Sequence, residues 1–291
     1  MDSASTLHLR TRPWIWPALL SLDAPVIAVL WLLLFSRSLR IGVPGSETAV
    51  LAMVVWLIYV ADRILDSFRE SEREPLAPRH WFYRQYRAAF VAPFCAVLLL
   101  AAWLAWTRLE ARTLRDGVLL AAAVAAYFGL VHLSAGRAQR WFPKELVVAI
   151  LFCAGTCLPL FTRTIRLTAS EISAFAAFLL IAWMNTALIE YVEWMTLREG
   201  GEEPPAALTI SIARWLVPLG ITVAMFALGV LAWPQFRTLW PVLGAAAASA
   251  LALAALGWNW RRLSSHSLRI MADVALCTPA VLLAVIGVTH Q

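Results

Sequence analysis

Charged side chains are scarce in this chain. Asp, Glu, Lys and Arg make up 14% of its 291 residues, where a soluble domain carries ~25%. Lysine is almost missing: Lys144 is the only one, so arginine carries nearly all of the 24 positive charges. Cysteine is rare, and Cys95, Cys153, Cys157 and Cys277 all lie in apolar runs. No uninterrupted polar stretch is long enough to fold as a separate soluble domain. These shortages exclude a soluble globular enzyme, a disordered chain and a disulfide scaffold. A net charge of +6 spread this thinly also excludes a nucleic-acid binder and suits basic loops facing an anionic leaflet. Cys153 and Cys157 are four apart and share a helix face, but no further ligand accompanies them. They are expected to act as small buried hydrophobes.

What the chain has instead is apolar length: 61% of its residues are hydrophobic. A membrane-spanning helix needs ~20 apolar residues. Nine such segments are readable: Trp14–Phe35 (starting as late as Ala24), Thr48–Asp66, Ala88–Trp106, Gly117–Ser134, Lys144–Phe161, Ile172–Trp194, Leu208–Trp233, Leu239–Trp258 and Leu268–Val288. Trp marks several of their ends, as interfacial belts do. The expected fold is all-α: one polytopic transmembrane bundle over residues 1–291, about nine helices, arranged as two pseudo-repeats of four plus one. Met1–Pro17 lacks the uniform apolar core and cleavage site of a signal peptide and is expected to belong to the mature chain.

Loop arginines set the expected orientation. With the N-terminus inside, the cytoplasmic side collects Arg10, Arg12, the arginines between Arg69 and Arg87, Arg137, Arg140, Lys144, Arg198, Arg261, Arg262 and Arg269. Fewer fall on the other side. The chain is therefore expected to be a multi-pass protein of the cell inner membrane, with its C-terminus external or periplasmic.

Charge inside an apolar span needs a reason. The second segment ends in Asp62-Arg63-Ile64-Leu65-Asp66, which puts Asp62 and Asp66 on one helix face. The sixth ends with Asn185, Glu190 and Glu193, the two glutamates again being neighbours on a helix. Four crossings separate the two clusters, so both fall at the same side of the membrane. Two carboxylates at helix spacing suit one hard cation, and Mg²⁺ is usually held by one or two carboxylates plus substrate phosphates. Adjacent arginines would neutralise the remaining phosphate charge. Acidic helix ends, nearby arginines and a long apolar interior suit a substrate with a diphosphate head and a hydrocarbon tail. The plainer reading is an interfacial network of acids and arginines in headgroup water, with no chemistry.

Asp62-Arg63-Ile64-Leu65-Asp66 resembles the second half of the first aspartate-rich motif of the UbiA superfamily of intramembrane prenyltransferases, Asn-Asp-x-x-Asp-x-x-x-Asp. Leu22-Asp23-Ala24-Pro25 is similar to the family's opening segment, and motifs after the second and sixth of nine helices match its layout. Ile58 and Tyr59 stand where the motif has Asn-Asp, and the second motif is reduced to Asn185, Glu190 and Glu193. The resemblance implies a Mg²⁺-dependent transfer of a prenyl group from a polyprenyl diphosphate to an acceptor. It implies Asp62 and Asp66 as catalytic acids and Asp62, Asp66, Glu190 and Glu193 as metal ligands. Arg63, Arg69, Arg79, His80, Arg140, Lys144 and Asn185 are the candidates for holding the diphosphate.

Two other functions fit the same residues. One is a non-catalytic relative that binds isoprenoid lipid. The other is a small transporter, since paired acids in a repeat also couple cations; the acids lie at helix ends and no span is interrupted by Gly-Pro at its centre, which weighs against it. Among isolated residues, Asp23 is expected either to cap the first helix or to contact the substrate head, His132 either to sit at the interface or to bind phosphate or anionic lipid, and Arg214 either to snorkel or to face Glu190 and Glu193.

Overall fold

Long runs of Leu, Ala, Val and Trp form helices because a backbone in hydrocarbon must satisfy its polar groups within its own segment. The structure is a computed structural model describing residues 20–69, 78–133, 143–164, 166–197 and 204–289, of which 66–69, 78–89, 132–133 and 286–289 are described as backbone alone. Among the described residues there is no strand. The helices are α1 Asp23–Leu39, α2 Gly45–Arg69, α3 Pro78–Arg108, α4 Ala111–Leu133, α5 Lys144–Phe161, α6 Ala169–Leu197, α7 Ala207–Arg214, α8 Leu216–Val230, α9 Trp240–Asn259, α10 Ser265–Ala275 and α11 Pro279–Thr289.

Among the described residues seven helical stretches are long and apolar enough to cross a membrane, and eight if α7 and α8, bent by 69° at their junction, make one span. The first apolar segment yields α1, whose 17 residues reach about 25 Å at ~1.5 Å per residue. The last yields two short helices, α10 and α11, separated by a turn.

α1 lies at the centre of the bundle. Trp31 and Phe35 are fully buried. Trp31 stacks on Phe178 of α6 with ring centroids 4.4 Å apart, and Phe35 stacks on Phe175 at 4.8 Å. The Trp31 indole donates to the Leu276 carbonyl at 2.9 Å, giving this buried N–H the partner it needs between α10 and α11. α6 and α9 are the most enclosed spans, whereas α3 and α4 bury little and present Leu99, Trp103 and Trp106 outward, where lipid tails are as apolar as leucine. α8 and α9 meet closely at Gly220, where a Cβ would stand 2.6 Å from the Ala250 carbonyl oxygen. This is small-residue packing of the kind membrane helices use.

Contacts between helix termini show that successive long helices alternate in direction. At one end, the start of α2 meets the end of α5: Arg163 donates two bonds to the Glu47 carboxylate, at 2.7 and 2.8 Å. Thr113, at the start of α4, pairs with Thr162 at the same end. The hydrogen bonds with Glu47 hold the Arg163 guanidinium above its ordinary pKa. The opposite end gathers the start of α1, the ends of α2, α4 and α6, and the starts of α5, α7 and α10.

Candidate functional site

That opposite end carries a polar cluster drawn from seven helices. α1 contributes Asp23 in its first turn. α2 contributes Tyr59, Asp62 and Arg63, and α4 contributes Tyr127. α5 opens with Lys144 and Glu145, α6 contributes Asn185, Glu190 and Glu193, α7 contributes Thr209, and α10 contributes Arg269 and Asp273. Their convergence follows from the alternation of the helices: each charge sits within about two or three turns of the end that faces this side.

Two ion pairs cross the cluster. Lys144 Nζ lies 2.9 Å from Glu190 Oε1, with the side chains 27% and 30% exposed. Arg269 Nη1 donates to Glu193 Oε1 at 3.1 Å. Arg269 and Asp273 are half-buried. Asp273 meets Asp23 within hydrogen-bonding reach, and Arg63 and Arg269 flank the pair electrostatically. Tyr59 faces the same group and senses Asp62 as well.

The first and second acidic segments come together around Tyr127. Its hydroxyl lies in the field of Asp62 from α2, Glu190 from α6, and Lys144 and Glu145 from α5. The ends of α2 and α6, which carry Asp62 and Glu190, lie at the same end of the bundle. Glu145 is 4% exposed. Its Oε2 accepts from the Thr209 hydroxyl, while its Oε1 is buried with no hydrogen-bond partner among the described residues.

The expected site residues fall out as follows. Asp62, Arg63, Lys144, Asn185, Glu190 and Glu193 all lie at the cluster. Arg63 is 4% exposed and donates through Nε to Ser21 Oγ at 2.7 Å. Ser21 is a buried turn residue with φ 54°, in the left-handed region that non-glycine residues seldom adopt. Asn185 donates to the Ala272 carbonyl at 2.8 Å, which fastens α6 to α10 just beside Asp273. The side chains of Asp66, Arg69, Arg79 and His80, and the whole of Arg140, lie outside the described residues, as does the His132 side chain. Among the described residues no three His, Cys, Asp or Glu side chains are grouped so as to hold a metal ion.

Asp23 departs from its expected capping role. Leu22 occupies the cap position without a side-chain bond, and Asp23 sits in the first turn facing Asp273. Arg214 is exposed beside the bend between α7 and α8. Reading the sequence also missed Asp273, Arg269, Glu145 and Tyr127 as members of the site. The usable signals were the acid at position 273 inside an apolar run and its i, i+4 spacing from Arg269.

No family model matches the chain, and neither a curated protein nor a solved structure matches it.

Proposed function

We propose that the chain is a UbiA-like intramembrane prenyltransferase. It takes a polyprenyl diphosphate at the polar cluster and, with Mg²⁺, transfers the prenyl group to an acceptor. The observation that carries this reading is the Lys144–Glu190 ion pair at the end of the bundle that Asp62 also occupies, so that acids from two helix ends four segments apart share one end with a cation. A head group with negative oxygens and a bound cation needs both signs of charge in one partly dry cleft, and an isoprenoid tail needs the apolar bundle behind it.

The acids at this cluster are the hard oxygen donors that Mg²⁺ takes. Mg²⁺ takes one or two carboxylates and completes its shell with substrate phosphates and water, so a larger protein cage is not needed. On this reading Asp62, Asp66, Glu190 and Glu193 supply the carboxylates. When bound, the ion would act as a Lewis acid on the leaving diphosphate. Arg63 and Lys144, with Arg69, Arg79, His80 and Arg140, hold the phosphate oxygens and share the charge that develops as the allylic carbon–oxygen bond breaks. Asn185 keeps α10 against α6, and so keeps Arg269 and Asp273 at the cluster. The surrounding apolar helices exclude water from the allylic cation. The cluster end faces the cytoplasm, where soluble prenyl diphosphates would reach it.

The test is diphosphate release from farnesyl and geranylgeranyl diphosphate by the purified protein, with and without Mg²⁺. Mg²⁺-dependent release lost in Asp62→Asn and in Asp66→Asn is expected. Release unaltered by both substitutions overturns the site.

A second reading rests on the ion pairs. Lys144 on Glu190 and Arg269 on Glu193 already neutralise two of the expected metal ligands. That arrangement favours a non-catalytic protein that keeps the bundle and binds isoprenoid lipid. It is distinguished by lipid-dependent stabilisation without any release of diphosphate.

A further inference from the structure

A groove runs between α5 and α6, from the turn that joins them toward the middle of the bundle. It encloses about 310 Å³ and is lined almost wholly by carbon and sulfur. Cys157 and Phe178, buried, form its floor, while Ile150, Leu167 and Ile172 form an exposed rim. The residues at the seam explain the space. Along its middle α5 brings small side chains, Cys153, Ala154 and Cys157. The rings of α6 are drawn inward instead: Phe178 stacks on Trp31 at 4.4 Å and Phe175 on Phe35 at 4.8 Å. Phe161 meets Phe175 edge to face at 4.7 Å. Rings held this way cannot swing out to close the groove without giving up their contacts.

Water has no place in such a groove, because an ordered water needs polar partners. Left empty, the lining would forfeit its dispersion contacts. The rim opens outward between two helices long and apolar enough to cross a membrane, toward hydrocarbon as apolar as leucine. An alkyl chain is the shape and chemistry that fits. The turn at the end of the groove adds a charge. Arg166 precedes the lining residue Leu167 and is exposed. Its charged neighbours are engaged elsewhere: Arg163 is paired with Glu47 and Glu110, and Glu171 accepts from the Thr168 amide and hydroxyl at 2.7 and 2.9 Å. Arg166 has no ion pair among the described residues, so its guanidinium is open to a phosphate, which it matches bidentately. We propose that this groove docks one acyl chain of an anionic phospholipid from the leaflet at that end of the bundle, with the head-group phosphate at Arg166. A zwitterionic lipid carries its own ammonium beside the phosphate and competes with Arg166 for it, so the anionic lipid is favoured. The inference does not depend on prenyl transfer, whose charged groups gather at the other end.

The experiment is native mass spectrometry of the purified full chain, delipidated and then titrated with dioleoyl phosphatidylglycerol or dioleoyl phosphatidylcholine at matched concentrations. The wild type should retain phosphatidylglycerol in preference to phosphatidylcholine. Ala154→Phe puts a ring into the groove and should lose that lipid, while its unfolding temperature without added lipid stays at or above the wild-type value. Ala122→Phe, on the exposed face of α4, should retain the lipid as the wild type does. If Ala154→Phe fails to fold, Ala176→Phe, exposed on the opposite wall, serves in its place. Arg166→Gln changes an exposed side chain and keeps the test open whatever the ring variants do. It should still take up phospholipid but no longer prefer phosphatidylglycerol. Undiminished retention in a folded ring variant, or the wild-type preference in Arg166→Gln, overturns the inference. So does a wild type that retains no phosphatidylglycerol, or one that gives it up to geranylgeranyl diphosphate more readily than to excess phospholipid, which would assign the groove to an isoprenoid tail.

Discussion

Lys144, at the first residue of α5, holds Glu190 of α6 at 2.9 Å, so the second acidic segment is tied to the helix that begins beside it. Both side chains are about a quarter exposed, so the contact is neither a screened surface pair nor a sealed one. Its worth should fall between the two, at about 1–2 kcal/mol of coupling. A double-mutant cycle of Lys144→Met and Glu190→Gln, read by thermal unfolding of the purified protein, measures it. Additive effects would show that the two side chains do not interact.

The opposite end carries the stronger contact. Arg163 grips Glu47 with two bonds, and the Glu47 side chain is only 2% exposed. Removing the guanidinium leaves a buried carboxylate without its cation, which costs about 3 kcal/mol or somewhat more. Arg163→Met should therefore lower the unfolding temperature markedly, and adding Glu47→Gln should restore most of it. The pH dependence has a definite sign. Glu47 raises the pKa of the Arg163 guanidinium. A base with a raised folded-state pKa contributes stability that is fully present below its unfolded value and lost only as pH climbs past the folded one. Both values lie above the range in which lysines titrate, so alkaline conditions up to that range should leave this contribution intact. A loss of stability there that disappears in Arg163→Met would contradict the assignment.

How far these contacts are legible in the sequence depends on the residue. Asp62 and Glu190 stand out because charge inside an apolar run is rare, and counting crossings puts both at one end. The identity of each partner is a different matter: nothing in the spacing links Lys144 to Glu190 or Arg163 to Glu47, which are brought together only by helix packing. Arg269 reads as a cytoplasmic-side charge because it stands at the very start of the last apolar run, Leu268–Val288. In fact Ser264 caps α10, its hydroxyl accepting from the Ser267 amide at 3.2 Å, and the helix starts early enough to carry Arg269 and Asp273 into the bundle one turn apart. Asp23 reads as a cap because acids before a helix usually are, whereas Leu22 holds that position and Asp23 enters the first turn. Glu145 is hidden for the opposite reason: beside Lys144 it looks like half of a local charge pair, whereas Lys144 turns to Glu190 and leaves Glu145 to Thr209.

Close packing of α8 on α9 gives a prediction about stability alone. A methyl group at Gly220 would meet the Ala250 carbonyl at 2.6 Å and the Ala254 Cβ at 2.8 Å, atoms that can yield only if the helices part. Gly220→Ala should cost about 1–3 kcal/mol, as overpacking does. Gly257→Ala would meet the tip of the Leu216 side chain instead, which can rotate away, so the smaller loss is expected there. Thermal unfolding of the two variants side by side tests the order, and a larger effect at position 257 would refute the packing argument.

The last prediction concerns orientation. The polar cluster and the Arg163–Glu47 pair mark opposite ends of one bundle, so locating either locates the other. Arginines crowd the loops at the cluster end, among them Arg261 and Arg262 after α9. By the charge bias of short loops that end is predicted to face the cytoplasm. The chain leaves the cluster end at α10 and runs through α11 toward the other side. A reporter fused after Gln291 should therefore read as external or periplasmic, and one placed in the loop after α6 as cytoplasmic. The pair of readings matters more than either alone. Opposite signals in the expected sense support both the alternation and its direction, opposite signals in the reverse sense keep the fold but turn the cluster away from soluble diphosphates, and identical signals would mean that one of the three units α7–α8, α9 and α10–α11 does not cross the membrane.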